Sequence, residues 1–108
     1  MLIEPGVKLY RYTIRNGKFK CQDGVVDEVN GRMRVIFDGG ASSARCPKDN
    51  DIGIVRHVGP SLWLCEKDDE LAKQIYLDYE KHRLISLRRQ IGKHAEIMNM
   101  LKSEMGLE

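Results

Sequence analysis

The chain has 108 residues, 42% hydrophobic and 31% charged, with 18 Lys and Arg against 16 Asp and Glu and a net charge of +2. That is one small domain's worth of chain, with enough residues for a core and few to spare. A net charge of +2 is too small to imply a nucleic-acid-coating tail, and no apolar run approaches the roughly 18 residues that a membrane span needs. Met1–Lys8 lacks the pattern of a secretory signal. Composition points to a soluble, cytoplasmic protein and names no activity.

The first 66 residues read as β structure. Val7–Ile14 is rich in Tyr and β-branched residues and predicts a first strand. Asn16-Gly17 then predicts a tight hairpin, because a type I′ turn needs positive φ at both central residues. Phe19–Val29 predicts the second strand, with a bulge or sharp bend at Asp23-Gly24. Asn30-Gly31 gives another tight turn into Arg32–Phe37, where Met33, Val35 and Phe37 share one face and Arg32, Arg34 and Ile36 the other. Ala41–Cys46 predicts a short fourth strand ending before Pro47, and Lys48–Gly53 a polar loop. Ile54–Val58 reads as a short strand or a 3₁₀ piece, and Ser61–Cys65 as a last buried strand carrying the single Trp. Five short strands with tight turns predict a small, strongly bent antiparallel barrel of SH3-like type, since closure protects strand edges. Gly24–Gly39 looks like the middle of an SH3-like or KOW-type barrel, a likeness of fold alone.

Residues 68–105 read as helix, with Asp68 as N-cap, Asp69 and Glu70 in the first turn, and Gly106 as the terminating left-handed residue. Unbroken, it would be about 57 Å long and would overhang a barrel roughly half that length. Ala72, Ile75, Tyr79 and His82 form a first seam. After a phase shift, Leu84, Leu87, Ile91, His94, Met98, Leu101 and Met105 follow with the alternating spacing of a coiled coil. The first expectation is that this seam makes the chain a homo-oligomer. The alternative is a helical hairpin that breaks near Lys81–Ser86 and folds back onto the barrel. The domain division expected is residues 1–66 for the barrel and 67–108 for the helical oligomerisation region.

Chemistry-bearing motifs are sparse. Cys21, Cys46 and Cys65 are separated by 25 and 19 residues, without a CxxC pair or a Cys/His knuckle, so no metal site is expected. They read as buried thiols in a reducing compartment. His57, His82 and His94 have no partner at catalytic spacing, no phosphate loop joins a strand to a helix, and the carboxylates are scattered. A non-enzymatic protein without a cofactor is expected, one that holds a ligand rather than converting it.

Candidate binding residues lie in three groups. Arg83, Arg88, Arg89 and Lys93 form a basic cluster in mid-helix, read either as a solvated coiled-coil flank or as an anion pocket where helices of neighbouring copies meet. Tyr76 and Tyr79, just before it, either stack on a base or pack the helix start on the barrel with their hydroxyls reaching solvent. Arg32, Arg34, Arg45 and Arg56 would make a nucleic-acid patch if the barrel gathered them, but Asp27, Glu28 and Asp38 lie close by. Trp63, between Leu62 and Leu64, reads as core rather than as a ligand platform.

The run from Trp63 to Ala72, of the form WLxEKDDxLA, continues through Ile75-Tyr76-Leu77-Asp78-Tyr79-Glu80. It resembles small phage and prophage proteins in which a β-rich half leads into long helices, with a layout similar to that of phage Thoeris anti-defence sponge proteins. The resemblance implies a homo-oligomer in the cytoplasm of an infected bacterial cell that binds a cyclic ADP-ribose-type or cyclic oligonucleotide signal and sequesters it intact. It supplies no position-by-position match of binding residues. Tyr76, Tyr79, Arg83, Arg88 and Arg89 are the ligand-binding candidates, with Tyr rings for a base and Arg for phosphates. Leu84, Leu87, Ile91, His94, Met98 and Leu101 are the assembly candidates. A nucleic-acid-binding barrel module and a protein-binding adaptor are the alternatives; no membrane partner is expected.

Overall fold

The computed structural model describes residues 2–55 and 61–107, which form an α+β chain of one antiparallel five-stranded sheet and one long helix. The strands are β1 (Lys8–Arg15), β2 (Lys18–Val29), β3 (Arg32–Phe37), β4 (Ser42–Arg45) and β5 (Ser61–Leu64), followed by helix α1 (Asp69–Glu104). Their order across the sheet is β4-β3-β2-β1-β5, so β4 and β5 are its two edges and are not paired with each other. The β1–β2 and β2–β3 connections are the expected tight turns. Asn16 and Gly17 have φ of 52° and 72°, and Asn30 and Gly31 have 52° and 77°.

Of the bulge or sharp bend expected at Asp23-Gly24, the bulge is not formed. β2 keeps an unbroken register with both neighbours, and Gly24 faces Leu9 on β1 and Phe37 on β3. The glycine is there for space. A Cβ at Gly24 would lie 2.5 Å from Val35 Cγ1 and 2.8 Å from Phe37 Cδ1, so the Phe37 ring occupies the room that a side chain would take. The polar loop at 48–53 also does more than connect: Asp49–Asp51 forms a 3₁₀ turn, and Ile52 after it packs against the core.

One face of the sheet buries Leu9, Val26, Val35, Phe37 and Trp63, joined at the margin by Ile3, Val7 and Met33. Phe37 and Trp63 stack with ring centroids 6.1 Å apart, which places Trp63 in the core as expected. Leu62 and Leu64 are buried on the opposite face, so β5 is apolar from Leu62 to Leu64 because both its sides are covered there. On that opposite face Tyr12 lies across from Leu62 and Cys21. The first two turns of α1 close over it: Ala72 and Tyr76 are buried, and the Phe19 ring meets Tyr12 at 5.4 Å and the edge of Tyr76 at 6.3 Å. The three cysteines are half-buried rather than buried, because a place in an apolar run does not fix a side chain's depth. Burial still pushes the Cys21 and Cys46 thiols above their ordinary value.

The chain divides into two compact units, Met1–Tyr76 and Leu77–Glu108. The first extends past Glu66 because the start of α1 belongs to the sheet's packing. The helix is continuous for 36 residues, which overturns the hairpin alternative at Lys81–Ser86. Nothing in that segment breaks a helix, since it holds neither Gly nor Pro, and the shift in the apolar pattern is a change of face. Asp68 caps the helix by accepting the Leu71 N–H at 3.0 Å. At the other end Gly106, with φ 72°, donates to the Ser103 carbonyl at 3.1 Å, and Leu107 donates to that of Lys102 at 2.6 Å. This is the paired closure of a Schellman motif.

Candidate functional site

The second unit is a helix with many exposed apolar side chains. Leu84, Leu87, Met98 and Leu101 are between 43% and 55% exposed, Ile91 is 68% exposed, and His94 is exposed beside them. Their three- and four-residue spacing puts them on one face of α1. Ile85, Ile97 and Met100 are as open but lie off that seam, so the helix is apolar on more than one side.

Arg83, Arg88 and Arg89 are all exposed. Five and six residues apart at roughly 100° per residue, they point about 100–140° away from one another. One helix therefore does not bring them together, and a pocket that uses all three needs a second chain. Tyr79 is half-buried and precedes Arg83 by one turn. Tyr76 is a correction. It is buried, and its hydroxyl donates to the Tyr12 carbonyl at 2.9 Å rather than reaching solvent, so its ring is not available to stack on a base.

The arginines of the sheet are not a clean basic patch either. Arg34 faces Asp27 on β2 and Arg45 on β4, and its Nε and Nη2 donate to Ser43 Oγ at 3.2 and 3.0 Å. Arg56 and His57, and most of the expected Ile54–Val58 element, lie outside the described residues. A surface hollow of about 410 Å³ lies on the same side of β2 and β3, lined by Gly6, Val25, Val26, Asp27, Ile36 and Gly39. Its one charged side chain is a carboxylate, which makes it a poor seat for a phosphate.

Two residues carry more than their sequence positions suggest. Tyr12 donates its hydroxyl to Asp69 Oδ1 and accepts the Asp68 N–H, both at 2.9 Å. Burial and the bond to Asp69 raise its phenol above the ordinary value, and the pair of bonds fixes the start of α1 to β1. Arg11 lies on the core face of β1 with its guanidinium 4.5 Å from the Phe37 ring centroid and 5.8 Å from that of Trp63. It donates through Nη2 to Gln22 Oε1, while its Nε is buried without a partner. Burial first, and the charge of Arg15 second, lower its pKa from the ordinary value. The signal in the sequence was strand alternation, which puts Arg11 on the face of Leu9 and Tyr12 on the other.

Among the described residues no group of three or more His, Cys, Asp or Glu side chains is placed to hold a metal ion, and no helix is long and apolar enough to cross a membrane. The sequence was compared with protein-family models and with curated proteins, and the fold with solved structures. None matches.

Proposed function

We propose that this protein is a non-catalytic binding protein that self-associates through α1 and sequesters an anionic nucleotide-type signal, a cyclic ADP-ribose isomer or a cyclic oligonucleotide, in the cytoplasm of a bacterial host. The observation that carries the reading is the exposed apolar seam of α1 with arginines on more than one side of it. Covering the seam with another copy removes apolar area from water. Side by side in parallel, the two helices would also bring Arg83, on one flank of the seam, near Arg88 on the opposite flank of the neighbour. That gives phosphate oxygens a planar fork on each side, whereas Arg89 faces away from the seam. Tyr79, one turn before Arg83, is the aromatic group left for the base once Tyr76 is assigned to the core. In this reading the sheet is an SH3-like scaffold. The order β4-β3-β2-β1-β5, with a 12-residue β2 shared between both halves, supports that description. The resemblance of the Trp63–Glu80 segment to phage anti-defence sponges supplies the ligand class.

Isothermal calorimetry with cyclic ADP-ribose isomers and cyclic dinucleotides tests the proposal. Saturable heat is expected for one of them, with the ligand recovered chemically unchanged and the heat lost in an Arg83→Ala/Arg88→Ala/Arg89→Ala variant. No heat from any of them, or a ligand recovered as product, would overturn it.

A further inference from the structure

The register of β1 and β2 gathers cations that lie far from the helix. Arg11 pairs with Gln22, Thr13 with Lys20, and Arg15 with Lys18. Directly opposed residues share a face, so Arg11, Arg15, Lys18 and Lys20 stand on one side of the hairpin, together with Thr13 and Gln22. Among the described residues none of the four is in an ion pair, whereas Lys8 pairs with Asp23 and Lys73 with Glu70. The acidic residue of β1 or β2 on this side is Glu28, opposite Met33 and about 27 Å along the strand from Lys20.

We infer that this face of the β1–β2 hairpin binds the phosphate backbone of nucleic acid, independently of the ligand assigned to α1. Three observations meet here. On β1 and β2 the charge has no acidic residue beside it on this face short of Glu28. Arg11 is held in place by Phe37 and Trp63 and by its bond to Gln22, so part of the ordering cost of binding is already met. The extent of the patch selects the partner: Arg11 to Arg15 spans about 14 Å along the strand, whereas one strand of duplex presents a charge about every 3.4 Å of axis. A single pyrophosphate cannot reach all four cations, and a run of backbone phosphates can. Trp63 and Phe37 are buried, so no base stacks on them and recognition is of the backbone, independent of sequence. The mixed-charge surface around Arg34 and Asp27 has neither property.

The test is fluorescence anisotropy of a labelled 20-nucleotide oligothymidine and a labelled 20-base-pair duplex against the full chain at 50 and 200 mM salt. Three or four phosphate contacts should lower affinity by about 20- to 150-fold between those salt concentrations. Arg15→Glu/Lys18→Glu/Lys20→Glu, all at exposed positions, should lower affinity at 50 mM salt at least tenfold and flatten the salt dependence, with an unchanged melting temperature. Lys48→Glu/Lys81→Glu/Lys102→Glu carries the same change of net charge on other exposed residues and should retain most of the binding. No binding to either probe at 50 mM salt would overturn the inference. Equal loss in the two variants would overturn it too, because net charge alone would then be responsible. Binding to phosphatidylserine vesicles without binding to either oligonucleotide would assign the face to lipid and refute the inference as well.

Discussion

Replacing Tyr12 by Phe removes one oxygen atom and leaves every carbon of the core in place, so it isolates what the hydroxyl contributes to holding α1 on the sheet. Two hydrogen bonds disappear, the donation to the Asp69 carboxylate and the acceptance of the Asp68 N–H, each 2.9 Å long. A bond to a charged group contributes about 1.5–3 kcal/mol and a neutral one about 0.5–1.5. Asp68 and Asp69 are exposed, so water replaces part of what they lose, and the net cost should be about 1.5–2.5 kcal/mol. For a domain of this size about 4 °C of melting temperature corresponds to each kcal/mol, giving a drop of roughly 6–10 °C. The chain has one Trp, and Trp63 is buried in the first unit, so its fluorescence during heating reports that unit's unfolding alone. Tyr76→Phe, which removes the bond to the Tyr12 carbonyl, should cost about 1 kcal/mol. A Tyr12→Phe shift below 2 °C would refute the reasoning, because the start of α1 would then be held by apolar packing without the hydroxyl.

The Tyr12 phenol also sets a pH response. Its pKa is raised in the folded state from an ordinary value of 10.0, so the unfolded chain gives up that proton first as pH rises. The stability it contributes is complete below about pH 10 and declines above it. Wild-type protein should lose stability above pH 10 more steeply than Tyr12→Phe, and parallel curves in denaturant titrations would contradict this. Gly24→Ala should destabilise the first unit by about 1–3 kcal/mol through overpacking, since its Cβ would meet Val35 and Phe37 side chains at 2.5–2.9 Å. Pairing it with Phe37→Leu should recover part of the loss, and a neutral Gly24→Ala would show that the Phe37 ring has room to move.

Much of the fold was legible because its signals are local. Asn16-Gly17 and Asn30-Gly31 announce their turns through the conformations those residues tolerate. Asp68 and Gly106 mark the helix ends by chemistry that needs no distant partner. At Gly24 a bulge or a sharp bend was open; the unbroken register removes the bulge, and the Phe37 ring that needs the glycine's room lies on another strand. Tyr76 looked as available as Tyr79, three residues on, and only the docking of α1 on Phe19 and Tyr12 separates a buried ring from a half-buried one. The basic face of the hairpin was hidden for a related reason. Arg11, Arg15, Lys18 and Lys20 are interspersed with apolar residues along the chain and become a group only through cross-strand register. The exposed seam of α1 was visible from spacing, whereas what covers it is a property of more than one chain.

Sedimentation velocity of the purified chain from about 1 to 300 µM tests the central claim, that the Leu84–Met105 seam joins copies of this protein. The sedimentation coefficient should rise with concentration to that of a dimer or larger species, and Leu87→Glu/Ile91→Glu should hold it at the monomer value with the Trp63 melting transition unchanged. A single monomeric boundary for the wild-type chain at every concentration would contradict self-association, and with it the shared arginine pocket.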